Sequence, residues 1–315
     1  LKIVLNKLLL FTFAAHLKNL FRIHIPLILV NLIYGINFTV AKSIMPSYIQ
    51  PLAFIIFRVG ICSVLFFLVQ KLFIKEKIER KDWGKILLCA LFGVYLNQSL
   101  FFIGIKYTTP IHGALIMIAT PILVLILSRL IAKEPPSFLK TIGIILGACG
   151  AACLILFGKE INNGSNTILG DSCILLNAIC FALYLVIVKP LMQKYHPFTV
   201  VFYTFAIGFI FVLPTGFYQF TQIDWSSFTS QVYWAIAFVV LGATFLAYLL
   251  NNIALKYASS SVVGIYIYLQ PVIAAVVSLC FTHEKFSTVK IISAILIFVG
   301  VALVNTGDKL SKLKK

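Results

Sequence analysis

Acidic side chains are scarce in this chain. Nine Asp and Glu stand among 315 residues, against 26 Lys and Arg, and charged residues of every kind make up 11%. A soluble domain carries roughly 25%. So little charge cannot coat a water-soluble body of this size, which excludes an ordinary globular domain. The acids are Glu76, Glu79, Asp82, Glu134, Glu160, Asp171, Asp224, Glu284 and Asp308. None sits in the middle of an apolar run, so no evident buried carboxylate is available as a proton carrier. No GxxxxGKS or GxxxxGKT loop is present, and ATP-driven movement is unsupported. There is no HExxH, no paired Asp cluster and no Cys/His metal spacing. No metal and no cofactor is expected. The seven cysteines lie almost wholly inside apolar runs without CxxC spacing; they read as small buried hydrophobes and say little about redox compartment.

What the chain has in abundance is apolar sequence. Hydrophobic residues make up 61%, and mean hydropathy is +1.04. About ten segments of spanning length follow one another, near 25–45, 51–72, 84–105, 108–131, 138–157, 170–190, 197–218, 231–253, 259–281 and 286–305. They are too long and too continuously apolar for barrel strands, so helices are expected. Residues 1–23 are basic and mixed, with an apolar part too short to span; a cytoplasmic segment lying along the interface is expected. The net charge of +17 sits between the apolar runs, where membrane topology puts it, so no nucleic acid is expected as a partner. With the N-terminus in the cytoplasm, the cytoplasmic segments hold 20 of the 26 basic residues. The loop from Lys71 to Lys85 is the richest of them. That bias puts both termini inside.

The chain is also written twice. A constant shift of 150 carries Tyr107–Glu134 onto Tyr257–Glu284, matching Tyr107 with Tyr257, Pro121 with Pro271, Ser128 with Ser278 and Glu134 with Glu284. The register extends to Lys106 and Lys256, and to Gly150 and Gly300. The first helices match at a shift of 147, Tyr34 with Phe181, Asn37 with Tyr184 and Lys42 with Lys189; Pro51 then corresponds to Pro197. Each copy holds five spans, an odd number, so the second enters the membrane in the opposite sense, an arrangement common among secondary transporters. One difference between the copies concerns polar chemistry: Tyr266, Tyr268 and Gln270 stand where the first has Ile116, Ile118 and Thr120.

These residues carry a resemblance. YGINFTVAK at 34–42, Arg58 in PLAFIIFRVG, FFIGIKYTTP at 101–110 and the run from Ala119 to Glu134 resemble the EamA type of the drug/metabolite transporter superfamily. So do GDSCILLNAICFALYLVIVK at 170–189 and IYLQPVIAAVVSLCFTHE at 267–284. Tyr34 and Phe181 stand where a tryptophan is common in that family. The resemblance implies an all-α integral membrane protein of ten transmembrane helices, two inverted five-helix repeats with both termini inside and a cavity between them. The expected organisation is a basic segment 1–23, a first repeat 24–157, an outer linker 158–169, a second repeat 170–305 and a basic tail 306–315. The implied activity is a secondary transporter or facilitator that exports or exchanges small organic solutes (amino acids, related metabolites or drugs), in the bacterial inner membrane. Its partners would be that solute and membrane lipids, and the pattern admits a monomer. The rival class is a membrane enzyme acting on lipid or prenyl substrates; it would need acids or histidines clustered at one face, and only scattered ones are present.

Intramembrane polar groups are costly, so each is a candidate. Arg58 reads as an anchor for an anion or carboxylate, or as a structural arginine bonding neighbouring carbonyls. Asn31, Tyr34 and Asn37 share one helical face, and Tyr184, with Asn177 two turns earlier, forms the matching stripe. Asn97 with Gln98, and Tyr266 with Gln270, complete the substrate-binding candidates; helix-to-helix packing is the alternative for all of them. Pro121 and Pro271 free the carbonyls of Met117 and Ile267 and make candidate hinges or fixed bends. His112 is a weak candidate for proton coupling, since a histidine titrates near neutrality. No residue is expected to be catalytic.

Overall fold

A computed structural model of the chain describes residues 20–45, 47–108, 113, 116–133, 137–158, 167–270, 272–273 and 288–313. Among them the chain is helical, with no strand. Among the described residues seven helices are long and apolar enough to cross a membrane: Leu20–Asn37, Pro51–Ile74, Arg80–Tyr107, Ile168–Lys194, Pro197–Thr221, Ser230–Tyr257 and Ile291–Asp308. Ala119–Leu130 and Phe138–Gly150 are shorter apolar helices. Large apolar side chains stay on outward faces, among them Phe67, Ile210, Phe217, Ile291 and Phe298. A helix surrounded by hydrocarbon meets its backbone hydrogen bonds internally, which leaves such faces stable there.

The elements in chain order are α1 (Ile25–Ile44), α2 (Pro51–Val69), α3 (Trp83–Cys89), α4 (Leu96–Tyr107), α5 (Ala119–Leu130), α6 (Phe138–Gly158), α7 (Thr167–Lys194) and α8 (Pro197–Thr221). Then come α9 (Ser230–Ala237), α10 (Ala247–Tyr257), α11 (Ser260–Ile265) and α12 (Thr288–Leu313). A proline opens α1, α2 and α8, where its missing N–H and fixed φ cost nothing. After α2 the chain turns at Lys75, a left-handed residue with φ 50° whose N–H closes onto the Gln70 carbonyl.

Two antiparallel crossings join the halves. Gly143 of α6 faces the Gly300 carbonyl of α12, while Gly150 faces the Ser293 carbonyl, so residue numbers rise along one helix as they fall along the other. A Cβ on Gly300 would lie 2.5 Å from the Gly143 oxygen, and one on Gly143 would lie 2.7 Å from the Gly300 oxygen. Only glycine allows backbones this close. The contact is reciprocal under the shift of 150, since Gly143 corresponds to Ser293 and Gly150 to Gly300. In the second crossing Gly216 of α8 lies against Leu52 of α2, and Gly60 of α2 against Phe209 of α8.

The two copies also break their helices at equivalent places. Between α3 and α4 the chain passes through π-helix at Ala90–Tyr95, and between α9 and α10 it does so again at Phe238–Leu246. The two stretches overlap when shifted by 150. π-Turns are rare and gather at functional sites. A third irregularity pairs the fourth segments: the chain turns at Ile118 in one copy and runs as 3₁₀-helix over Tyr266–Tyr268 in the other. The span expected at 108–131 thus takes the form, among the described residues, of the shorter α5 preceded by that turn.

Candidate functional site

Two of the irregular stretches, through Ala243 and Ile267, border a cavity of about 600 Å³, adjoining solvent included. Its wall includes Tyr34 and Asn37 from α1, Arg58 from α2, and Asn97, Gln98, Phe101 and Phe102 from α4. The second half supplies Asn177 and Phe181 from α7, Ala243 from the π-helical stretch, Tyr248 from α10, and Ile267 and Gln270. Met117 completes it.

Arg58 is 4% exposed, and no carboxylate among the described residues pairs with it. Its Nε donates to Thr244 Oγ1 at 2.9 Å, and its guanidinium carbon lies 4.6 Å from the Phe102 ring centroid. Thr244 in turn donates to the Val239 carbonyl at 2.8 Å. That donor lies five residues ahead of its acceptor, within the π-helical stretch, where the backbone ladder loosens. Cys62 Sγ donates to the neighbouring Val240 carbonyl at 3.4 Å. With Nε tied down and one face on a ring, the Arg58 Nη groups are the part left for the cavity.

Opposite lies an amide network. Asn177 Nδ2 donates to the Asn97 carbonyl at 2.7 Å, and Asn97 Nδ2 returns to the Asn177 carbonyl at 3.4 Å. Gln98 Nε2 donates to Tyr248 Oη at 3.2 Å, and that hydroxyl donates to the Gly93 carbonyl at 2.8 Å. Gln98 and Tyr248 are 150 apart, so they are equivalent residues meeting on the axis that relates the copies. Tyr268 and Ile118 are such a pair as well, the hydroxyl donating to the carbonyl at 3.1 Å.

Of the residues singled out from sequence, Tyr34, Asn37, Arg58, Asn97, Gln98 and Gln270 are brought together on this wall. Tyr184 and Tyr266 are not on it. The Tyr184 ring packs against Gly93, where any Cβ would come within 2.2 Å, and its hydroxyl pairs with the Asn252 amide at 2.8 and 3.0 Å. Tyr266 turns to His24, with its hydroxyl in hydrogen-bond contact with Nδ1. Gln270 also donates to Asn31 Oδ1 at 3.0 Å. Met117 and Ile267, whose carbonyls the two prolines are expected to free, both reach the wall. Pro121 lies buried in the first turn of α5. His112 and Pro271 lie outside the described residues.

A cavity shared by two pseudo-equivalent helical halves frames the comparison with known proteins. The profile of the EamA-like transporter family matches residues 22–156 and again 168–306. The chain belongs to the EamA-like transporter family. Among relatives of this EamA protein, the transporter YyaM of Bacillus subtilis is 28% identical over 282 residues, covering 89% of this chain and 92% of its own. A transporter of Archaeoglobus fulgidus is 26% identical over 287 residues, covering 89% and 96%. A WAT1-related protein of Arabidopsis thaliana is 24% identical over 307 residues, covering 87% and 80%. A solved crystal structure shares the fold at TM-score 0.69 and 16% identity, covering 92% of this chain and 97% of that one. A transporter role in a multi-pass membrane protein follows from the family and the apolar helices.

Tyr248, Thr244, Phe101 and Phe102 of this EamA transporter line or steady the cavity and were not among the residues expected from sequence. Tyr248 had a usable signal: it is the repeat equivalent of Gln98. Thr244 had none, because its role depends on a π-turn that no residue pattern announces.

Proposed function

We propose that this protein is a secondary transporter or facilitator that moves a small organic solute across the bacterial inner membrane by alternating access between its two copies. The carrying observation is Arg58, a buried cation without a carboxylate partner among the described residues, on the wall of a cavity to which both halves contribute. An uncompensated buried charge is costly, so an anionic group on the solute offsets it. Tyr34, Asn37, Arg58, Asn97, Gln98 and Gln270 are the proposed solute-binding residues. Phe101, Phe102, Phe181 and Met117 suit the apolar part of an amino acid, a related metabolite or a drug.

The proposed topology is ten helices in two inverted five-helix repeats, residues 24–157 and 170–305, with both termini in the cytoplasm. The antiparallel crossing of the equivalent helices α6 and α12 supports it, because an inverted repeat sets such helices against each other. The proposed partners are the solute and the surrounding lipid, with no nucleic acid, and the proposed working unit is a monomer. Transport chemistry needs no bond to be broken; no three His, Cys, Asp or Glu residues gather as a metal-binding group among the described residues.

The test is flux into proteoliposomes holding the purified protein, across a panel of amino acids and organic acids. Uptake above empty vesicles, saturable and reduced in Arg58→Met, is expected. Equal uptake by wild type and Arg58→Met would remove Arg58 from the binding role. Absence of any flux would remove the transport reading.

A further inference from the structure

The cavity wall is not centred on the axis that relates the two copies. Three equivalent pairs reach it from both sides: Tyr34 with Phe181, Gln98 with Tyr248, and Met117 with Ile267. One helical turn further along, the copies part. Asn37 and Phe102 are on the wall, while their equivalents Tyr184 and Asn252 are not. The cavity therefore reaches further between α1 and α4 than between α7 and α10.

On the α7 and α10 side the helices are tied together in three layers. Tyr184 Oη pairs with the Asn252 side-chain amide at 2.8 and 3.0 Å, and both residues are buried. Next, Ser260 of α11 donates its hydroxyl to the Leu185 carbonyl at 2.8 Å. Last, Lys189 Nζ donates to the Leu255 and Ala258 carbonyls, where α10 ends at Tyr257. The final carbonyls of a helix have no partner within it and carry the negative end of its dipole, so charge as well as hydrogen bonding holds an ammonium there. Lys189 follows Phe181 along α7 by about 12 Å of helix rise. It lies toward the loop Lys71–Lys85, because Lys194 at the end of the same helix meets Asp82 of that loop at 2.6 Å. The opposite mouth is built otherwise. Phe102 in place of Asn252 has no amide to offer, Asn37 Oδ1 has no partner, and Pro110 in place of Ser260 has no hydroxyl. The first two ties cannot form there.

We infer that Lys189 is the latch of a gate at the cytoplasmic mouth: it holds α7 against the end of α10, and its release opens the cavity to that side. This assignment rests on the transport and topology readings above and adds a positioning residue to them. Alternating access requires α7 and α10 to part while the opposite mouth closes. Tyr184–Asn252 and Ser260–Leu185 are neutral hydrogen bonds. Lys189 makes the charge-assisted bonds of the three layers, so its loss most favours the other state.

Hydrogen–deuterium exchange on the purified full chain in lipid nanodiscs tests this without any solute. In Lys189→Met, residues 185–194 and 252–262 are expected to exchange roughly threefold faster, and residues 101–107 at the end of α4 roughly threefold slower. A lysine that only caps α10 would loosen its own end and leave 101–107 unchanged. Lys189→Arg keeps the charge and should keep the wild-type rate at 101–107; a slowing there equal to that of Lys189→Met would overturn the latch. Ser260→Ala removes one hydrogen bond of the same clasp and should move both mouths in the same directions by less, which decides the matter should Lys189→Met not fold. Unchanged or faster exchange at 101–107 in these two variants overturns the latch. Wild-type flux in proteoliposomes is read separately: saturable flux with no slowing at 101–107 removes the latch alone, and no flux removes the transport reading with it.

Discussion

Arg58 of α2 and Thr204 of α8 are equivalent residues at the shift that matches Pro51 with Pro197. Both are buried, at 4% and 1% exposure. The first carries a charge into the cavity and leans on Thr244 and Phe102; the second is a hydroxyl without a partner, away from the wall. Elsewhere the copies agree closely: both break into π-helix before the wall, and both give a residue to the axis pair Gln98–Tyr248. The lesson is that the backbone is repeated while the charge is not. A symmetric scaffold sets two equivalent helices in place, and one substitution within it gives the cavity a cationic side.

Four changes would break or sharpen that comparison. The largest effect belongs to Arg58→Thr, which makes the copies alike at this position. Loss of a buried charge partner costs about 3 kcal/mol, or roughly a hundredfold in half-saturating concentration for a carboxylated solute. Concentration-dependent uptake in proteoliposomes measures it, and a shift below fivefold would place the charge outside binding.

The next concerns a pair that is itself one-sided. Lys140 Nζ lies 3.0 Å from Asp308 Oδ1, with the side chains 5% and 9% exposed. The equivalent position of Asp308 in the first copy is Gly158. Asp308→Asn should destabilise the protein, because it takes the carboxylate out of a buried ion pair. Detergent-solubilised melting curves would read this as a drop of several degrees, with Lys140→Met/Asp308→Asn recovering part of it.

Symmetric contacts should respond symmetrically. Gly150→Ala and Gly300→Ala, equivalent under the shift of 150, each drive a Cβ into the other helix's carbonyl, at a cost of about 1–3 kcal/mol. Gly84→Ala, with nothing within 4 Å of the new Cβ, is the control and should leave the melting temperature unchanged. Unequal losses at 150 and 300 would show that the crossing is not shared evenly by the copies.

The smallest effect is in acid. Glu79 joins the loop after α2 to the end of α7 through Lys194 at 2.7 Å and also meets Lys81 at 3.0 Å. Hydrogen bonds from Lys194 and then Lys81 hold its carboxyl below the usual glutamate range. A carboxyl with a depressed folded value adds stability above its ordinary value of about 4.3, and that contribution falls away as pH drops through the lower folded value. Because Glu79 is exposed, the change is small. Glu79→Gln should flatten the fall of melting temperature between about pH 5 and about pH 3 relative to wild type; an unaltered slope would remove Glu79 as its source.

Much of the site is legible in the amino-acid sequence. The shared face of Tyr34 and Asn37, the charge of Arg58, and the pair Asn97–Gln98 are visible because polar groups stand out in apolar runs. Tyr184 and Tyr266 stand out in the same way, yet one closes on Asn252 and the other on His24. Polarity marks a residue that needs a partner; it does not say whether protein or solute provides it. Phe101 and Phe102 illustrate the converse, since a phenylalanine in an apolar run carries no mark at all.

By itself the sequence determined the solvent, the helical class, the doubling of the chain and the residue types available to a cavity. These depend on composition and on local periodicity, which a linear reading contains. The tertiary structure decided which polar groups face inward together and that Thr244 steadies Arg58. Each depends on a π-turn or on helices from the two copies meeting across the axis, with partners 80 to 186 residues apart. Such distances leave no local pattern, because the energy that fixes them arises only when the helices pack.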